Sequence, residues 1–153
     1  MKILLLTLLA TMPIFEVTDF EVYDADTYTV GYQITPGACS TCGTFSRTRV
    51  RLAGFDSWET TRRKGITEGE VERGKEAREF VKQLATSATK ITVQPLRIEK
   101  YGRTLSNVYI DGKQLSQILW ENCHGTSYDG SVRGDVYLGC TNPKTKEVSS
   151  ADD

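Results

Sequence analysis

Five separate stretches of the chain read as strands, and in two of them, about Arg47–Phe55 and Lys90–Leu96, apolar and polar residues alternate with period two. That spacing puts one face of a strand in a core and the other in water. Val17–Tyr32 divides into two of the five strands at Asp24-Ala25-Asp26-Thr27, a cluster of turn-forming residues. A third runs from about Arg47 to Phe55, where Arg47, Arg49 and Arg51 alternate with Thr48, Val50 and Leu52. Lys90–Leu96 and Thr104–Ile110 supply the fourth and fifth, the last closed by the turn pair Asp111-Gly112. Twice the period becomes helical. Ala77, Phe80, Val81, Leu84 and Ala88 mark the apolar face of a helix near Val71–Thr86. Leu115, Ile118 and Leu119 mark a short second helix over Gln114–Glu121. Gln33–Thr44 and Thr60–Gly69 carry no period and read as loops, the second exposed and mobile; beyond Asn122 the chain reads as irregular.

This order of elements is α+β and mostly β. It predicts a five-stranded Greek-key barrel of the oligonucleotide-binding (OB-fold) type, with one helix between strands 3 and 4 and a short second helix after strand 5. A length of 153 residues suits one domain, and no internal repeat is present. The third strand contains a conflict of parity. Five residues separate Arg51 from Asp56, so simple alternation sends them to opposite faces. Gly54 lies between them, and a bend or bulge there would bring both to one side.

Composition adds a charge asymmetry. The net charge of −1 conceals about −4 over residues 1–45, +6 over residues 46–103 and −3 over the remainder. The basic middle third suits brief contact with a polyanion, whereas the whole molecule lacks the field of a protein that coats DNA. Residues 1–15, with Lys2 followed by an almost wholly apolar run, read as a secretory leader too short to span a bilayer; a buried first strand is the other reading. Residues 16–140 then form the folded domain and 141–153 a flexible tail. The expected location is secreted or periplasmic, without stable membrane association. Four cysteines in such a chain favour disulfides, Cys39–Cys42 and Cys123–Cys140 being the preferred pairing, over a four-cysteine zinc site. His124 is the one histidine and reads as structural or surface, which leaves a Ser-His or Cys-His nucleophile without a partner elsewhere.

Two clusters carry candidate chemistry. Asp24, Asp26, Asp56 and Glu59 fall at strand ends or in adjoining loops. Gathered without a cation they would repel; gathered around a hard cation they supply the oxygen donors that Ca²⁺ or Mg²⁺ requires. Lys100-Tyr101-Gly102-Arg103 offers a guanidinium that matches phosphate and a ring on which a base can stack.

Read in order, D-x-D-T at 24–27, R-L-x-G-x-D-x-x-E at 51–59, the helix and Y-G-R at 101–103 resemble the staphylococcal nuclease (thermonuclease) family over roughly Val17–Tyr128. The end of the chain, with Tyr128-Asp129-Gly130, is similar to its short members. The resemblance implies a calcium-dependent hydrolase of phosphodiester bonds in DNA and RNA, cutting as an endonuclease or exonuclease and leaving 3′-phosphates, and we expect it to act as a monomer. It implies that Asp26 and Asp56 ligate one Ca²⁺ through carboxylates and Ser57 through its backbone carbonyl, with Asp24 behind them. Glu59 would orient or deprotonate the attacking water, Arg51 and Arg103 would grip the scissile phosphate, and Lys100, Tyr101 and Tyr128 would line the nucleotide pocket. A non-catalytic nucleic-acid- or protein-binding module on the same barrel is the alternative, which the presence of Arg51, Glu59 and Arg103 argues against. Three residues depart from the family pattern: Ala25 and Cys123 stand where glycine is usual, and Trp58 stands where proline helps aim the following glutamate.

Overall fold

The computed structural model describes residues 13–34 and 44–143. Residues 1–12 of the expected leader, the Cys39–Cys42 pair and most of the expected tail lie outside them, while Phe15, the last residue of the expected leader, opens the first strand. In chain order the elements are β1 (Phe15–Asp24), β2 (Thr27–Ile34), β3 (Thr44–Leu52), β4 (Phe55–Ser57), α1 (Glu68–Ser87), β5 (Ile91–Ile98), β6 (Thr104–Ile110), β7 (Lys113–Gln114), α2 (Leu115–Glu121) and β8 (Gly125–Ser127).

Strands β1, β2 and β3 form an antiparallel meander, β5 and β6 a hairpin, and β5 joins β1 antiparallel. A parallel pairing of β3 with β6, Val50 opposite Thr104 and Leu52 opposite Ser106, closes the five into a barrel. The architecture is the mostly β, OB-type barrel with two helices that the order of elements predicts. The inward residues Tyr28, Val30, Val50, Leu52, Val93 and Val108 are buried, and Ala77 and Val81 of α1 and Leu115 and Leu119 of α2 join them in one core. Among the described residues no helix is long and apolar enough to cross a membrane.

Three of the differences from the sequence reading have a clear local reason. The long helix begins at Glu68 and takes in Gly69, because Thr67 caps it: Thr67 Oγ1 accepts the Glu70 N–H at 3.1 Å. The third strand ends at Leu52 instead of Phe55. Ala53-Gly54 turn the chain, with Gly54 at φ 76°, and β4 leaves in a new direction. The segment after α2 is less irregular than its composition suggests, since β8 pairs with β4, Asp56 opposite Thr126.

The end of α2 accommodates the cysteine that replaces a glycine. Cys123 takes φ 64°, its N–H donates to the Trp120 carbonyl at 3.1 Å, and the His124 N–H donates to the Leu119 carbonyl at 3.0 Å, the paired bonds of a Schellman cap. Cys123 is also disulfide-bonded to Cys140, with Cα atoms 5.4 Å apart. That bond removes two of the four sulfurs a cysteine zinc site would need. His124 is structural: it packs on Phe80 with ring centroids 4.5 Å apart, and burial holds its pKa below the usual value.

Candidate active site

The turn after β1 and the break after β3 meet at one end of the barrel. The Leu52 N–H donates to the Asp26 carbonyl at 2.8 Å, fastening the turn to the end of β3. Thr27 stands opposite Arg51 in the β2–β3 ladder, so Arg51 emerges beside Asp26. After the Ala53-Gly54 turn, β4 presents Asp56 to the same guanidinium. Arg51 Nη1 donates to Asp26 Oδ1 and Nη2 to Asp56 Oδ1, each a short charged contact. The parity conflict in the sequence is therefore resolved as a bend at Gly54, with both side chains on one side.

Asp26 is held on its other oxygen by the Ser57 N–H at 2.8 Å, and the Thr27 hydroxyl donates to Oδ1 at 3.1 Å. Its side chain is 3% exposed, against 14% for both Arg51 and Asp56. Burial works against the Arg51 charge, yet Asp26 and Asp56 more than offset it and hold its pKa above the ordinary value. Asp24 sits behind them and accepts the Asp26 N–H at 3.3 Å. Burial first, and then the Asp26 carboxylate, push the Asp24 pKa up to about 7. Ala25 stays out of the positive-φ region that glycine would allow, and its carbonyl accepts the Tyr28 hydroxyl inside the core.

The Asp24 shift has a stability consequence of definite sign. Its folded pKa lies above its unfolded one, so its contribution is full below about pH 4 and is lost as pH rises through about 7. Asp24→Asn should therefore stabilise the cation-free protein. The gain in unfolding midpoint should grow between about pH 4 and pH 7, level off above, and shrink when Ca²⁺ is present. A gain that does not vary with pH would contradict the shift.

Glu59 follows β4 on a stretch whose path is fixed from three directions. Trp58, 1% exposed, fills the core beneath it, and its indole N–H donates to the Cys123 carbonyl at 2.9 Å. The tie that proline would supply by a fixed φ comes here from burial and a hydrogen bond. Helix α1 presses on the same backbone at Gly74, where a Cβ would lie 2.3 Å from the Glu59 carbonyl oxygen and 2.7 Å from that of Trp58. Only a residue without a side chain permits that approach. The Glu59 N–H points at Glu70 Oε1, 3.5 Å away on the first turn of α1.

Asp24, Asp26, Arg51, Asp56, Ser57, Glu59 and Arg103 line a polar pocket of about 230 Å³. Arg51 and Arg103 also line an adjoining groove of about 340 Å³ with Lys100, Tyr101 and Tyr128. Arg103 is paired with Glu99 at 3.1 Å, on a turn that Gly102 makes at φ 74°. Tyr101 is 72% exposed, with Lys100 Nζ 4.9 Å from its ring centroid.

Two residues of this neighbourhood escaped the sequence reading. Arg133, from the stretch read as irregular, contacts Asp56 Oδ2 closely and lies 3.4 Å from Glu59 Oε1 and 3.5 Å from Glu70 Oε1. Glu70 itself is fully buried. Burial raises its pKa against the opposing pull of the Glu59 N–H and Arg133. The Glu70 position was legible as part of the capping pattern Thr67-x-x-Glu70; Arg133 has no local signal.

Compared with known protein families, residues 49–133, more than half of the chain, match the family described as Staphylococcal nuclease homologue. No curated protein matches the chain.

Proposed function

We propose that this chain, which belongs to the staphylococcal nuclease homologue family, is a calcium-dependent nuclease that hydrolyses phosphodiester bonds of DNA, RNA or both by attack of water. The observation that carries the reading is the convergence on one pocket of two aspartates bridged by Arg51, of Glu59 at its edge, and of Arg103 shared with the groove beside it.

The donor set fits calcium. Asp26 and Asp56 already bracket a cation, the Arg51 guanidinium. No histidine or cysteine lines the pocket. Among the described residues no three acids, histidines or cysteines gather as a metal-binding group. The set is thus two carboxylates, with the Ser57 carbonyl and waters to complete it, which suits a hard, flexible cation. Bound there, calcium would polarise a phosphoryl oxygen of the substrate.

The remaining work belongs to the chain. Glu59 accepts the proton of the attacking water. Arg51 and Arg103 bind the phosphoryl oxygens on which negative charge grows, their fork geometry matching two oxygens at once. Arg103 exchanges Glu99 for the substrate. Lys100, Tyr101 and Tyr128 line the groove for the neighbouring nucleotide, and the ring of the exposed Tyr101 suits stacking on a base. Secretion is part of the same proposal, supported by the leader-like start and the Cys123–Cys140 disulfide, and so is action as a monomer.

The experiment that tests it is incubation of the purified protein with labelled single-stranded DNA, duplex DNA and RNA in Ca²⁺. Shortened fragments from at least one substrate are expected. Retarded but intact substrate would instead identify a binding module on this barrel.

A further inference from the structure

We propose that Arg133 is a positioning residue of the hydrolytic site, fixing the Glu59 carboxylate for proton transfer; this rests on the reading of the pocket as a nuclease site. Glu59 lies outside any strand or helix, and its side chain is 33% exposed. Trp58, Gly74 and Glu70 bear on its backbone, through the Trp58 indole, the approach of α1 and the Glu59 N–H. Among the described residues Arg133 is the one cation paired with that carboxylate, and the same guanidinium reaches Asp56 and Glu70. One planar, multidentate donor thus joins three acids from β4, the following loop and α1. A flexible ammonium could not span all three.

The segment that delivers Arg133 is itself held firmly. Asp129 Oδ1 accepts from the Ser131 N–H at 2.8 Å, the Ser131 hydroxyl at 2.9 Å and the Val132 N–H at 2.9 Å, closing a tight loop. Tyr128 and Arg133 form a β-bridge across it. The Gly134 N–H donates to the Ser127 carbonyl at 2.7 Å, and the Ser127 N–H donates to that of Asp135 at 3.2 Å. The Trp120 indole N–H donates to the Asp135 carbonyl at 3.2 Å, and the Cys123–Cys140 bond encloses the whole segment. An arginine carried on a backbone held this way costs less ordering when it holds a flexible acid.

Asp56 is shared between this clamp and the calcium ligand set, which gives the proposal an opposite-sign signature. Arg133→Gln keeps much of the side-chain length and removes the charge. Turnover of the variant should fall by about 10- to 100-fold, as expected for a misaimed catalytic group, with KM within about two-fold of native. Its calcium affinity, measured by calorimetry on the protein without nucleic acid, should rise by roughly three-fold or more, because a competing cation has left Asp56. Arg133→Lys should recover part of the turnover. Unchanged turnover overturns the proposal. A raised KM at constant kcat also overturns it and makes Arg133 a substrate contact. Parallel loss of turnover, calcium affinity and melting temperature overturns it in favour of a purely structural role. If the native protein cleaves nothing, the nuclease reading itself fails, an outcome distinct from a native enzyme that cleaves and a variant that matches it.

Discussion

Replacing Arg51 with alanine is expected to destabilise the calcium-free protein by about 3 kcal/mol and to abolish cleavage. The guanidinium is 14% exposed and bridges two carboxylates that are 3% and 14% exposed. Its removal leaves Asp26 with the Ser57 N–H and the Thr27 hydroxyl, and Asp56 with Arg133, while Asp24 adds a third acid beside them. Removing one member of a buried ion network costs more than the network's net worth, because the desolvated partners remain. Calcium should return much of that loss, about 2.7 kcal/mol at a hundred times its Kd, without returning turnover. Arg51→Lys should fall between, since a point charge cannot engage both aspartates as the fork does. Urea unfolding at pH 7 with chelator and with calcium, beside initial cleavage rates, separates the two roles. A loss below about 1 kcal/mol in chelator would mean that the bridge is solvated like an ordinary surface pair.

Glu59→Gln should lower kcat by about 10³-fold, within the range for loss of a general base. The amide keeps the shape of the side chain but cannot take a proton from water. Fold and calcium binding should survive. Glu59 is a third exposed, its pairing with Arg133 is 3.4 Å long, and its backbone is set by Trp58 and α1 whatever its side chain. The unfolding midpoint should therefore move little. A kcat within ten-fold of native would remove Glu59 from proton transfer.

The two effects differ because the two residues sit differently in the fold, and that difference was only partly legible in the sequence. Arg51, Asp56 and Glu59 fall within nine residues, and the parity conflict between the first two announced the bend at Gly54. Asp24 and Asp26 flank a recognisable turn, and Lys100–Arg103 closes another. Such sites are readable when each functional group lies at the end of a periodic element. The β4–β8 pairing lacked that signal, since three-residue strands are too short to show alternation. Arg133 lies 74 residues from Glu59 and reaches it through that pairing and the disulfide-closed loop, neither of which leaves a local pattern. Gly74 was hidden for another reason. Inside a helix a glycine reads as a weak position, and only the packed backbone of Trp58–Glu59 explains it.

The departures at Ala25, Trp58 and Cys123 follow the same logic. Each alters a backbone preference, and each is accommodated locally. Ala25 avoids the strained conformation, Trp58 is anchored by burial and by the Cys123 carbonyl, and Cys123 accepts φ 64° in a capped helix end with a disulfide to Cys140. Trp58 and Cys123 are therefore one structure, joining the segment that carries Glu59 to the loop that carries Arg133.

The most direct measurement follows a labelled single-stranded DNA through three additions to one sample of native protein: chelator, then calcium in excess, then chelator again. A calcium-dependent nuclease leaves the strand intact, cuts it on the second addition and stops on the third. Cleavage at full rate in chelator, or a strand that is bound but never cut at saturating calcium, would contradict the function assigned to the Asp26–Arg51–Asp56 pocket.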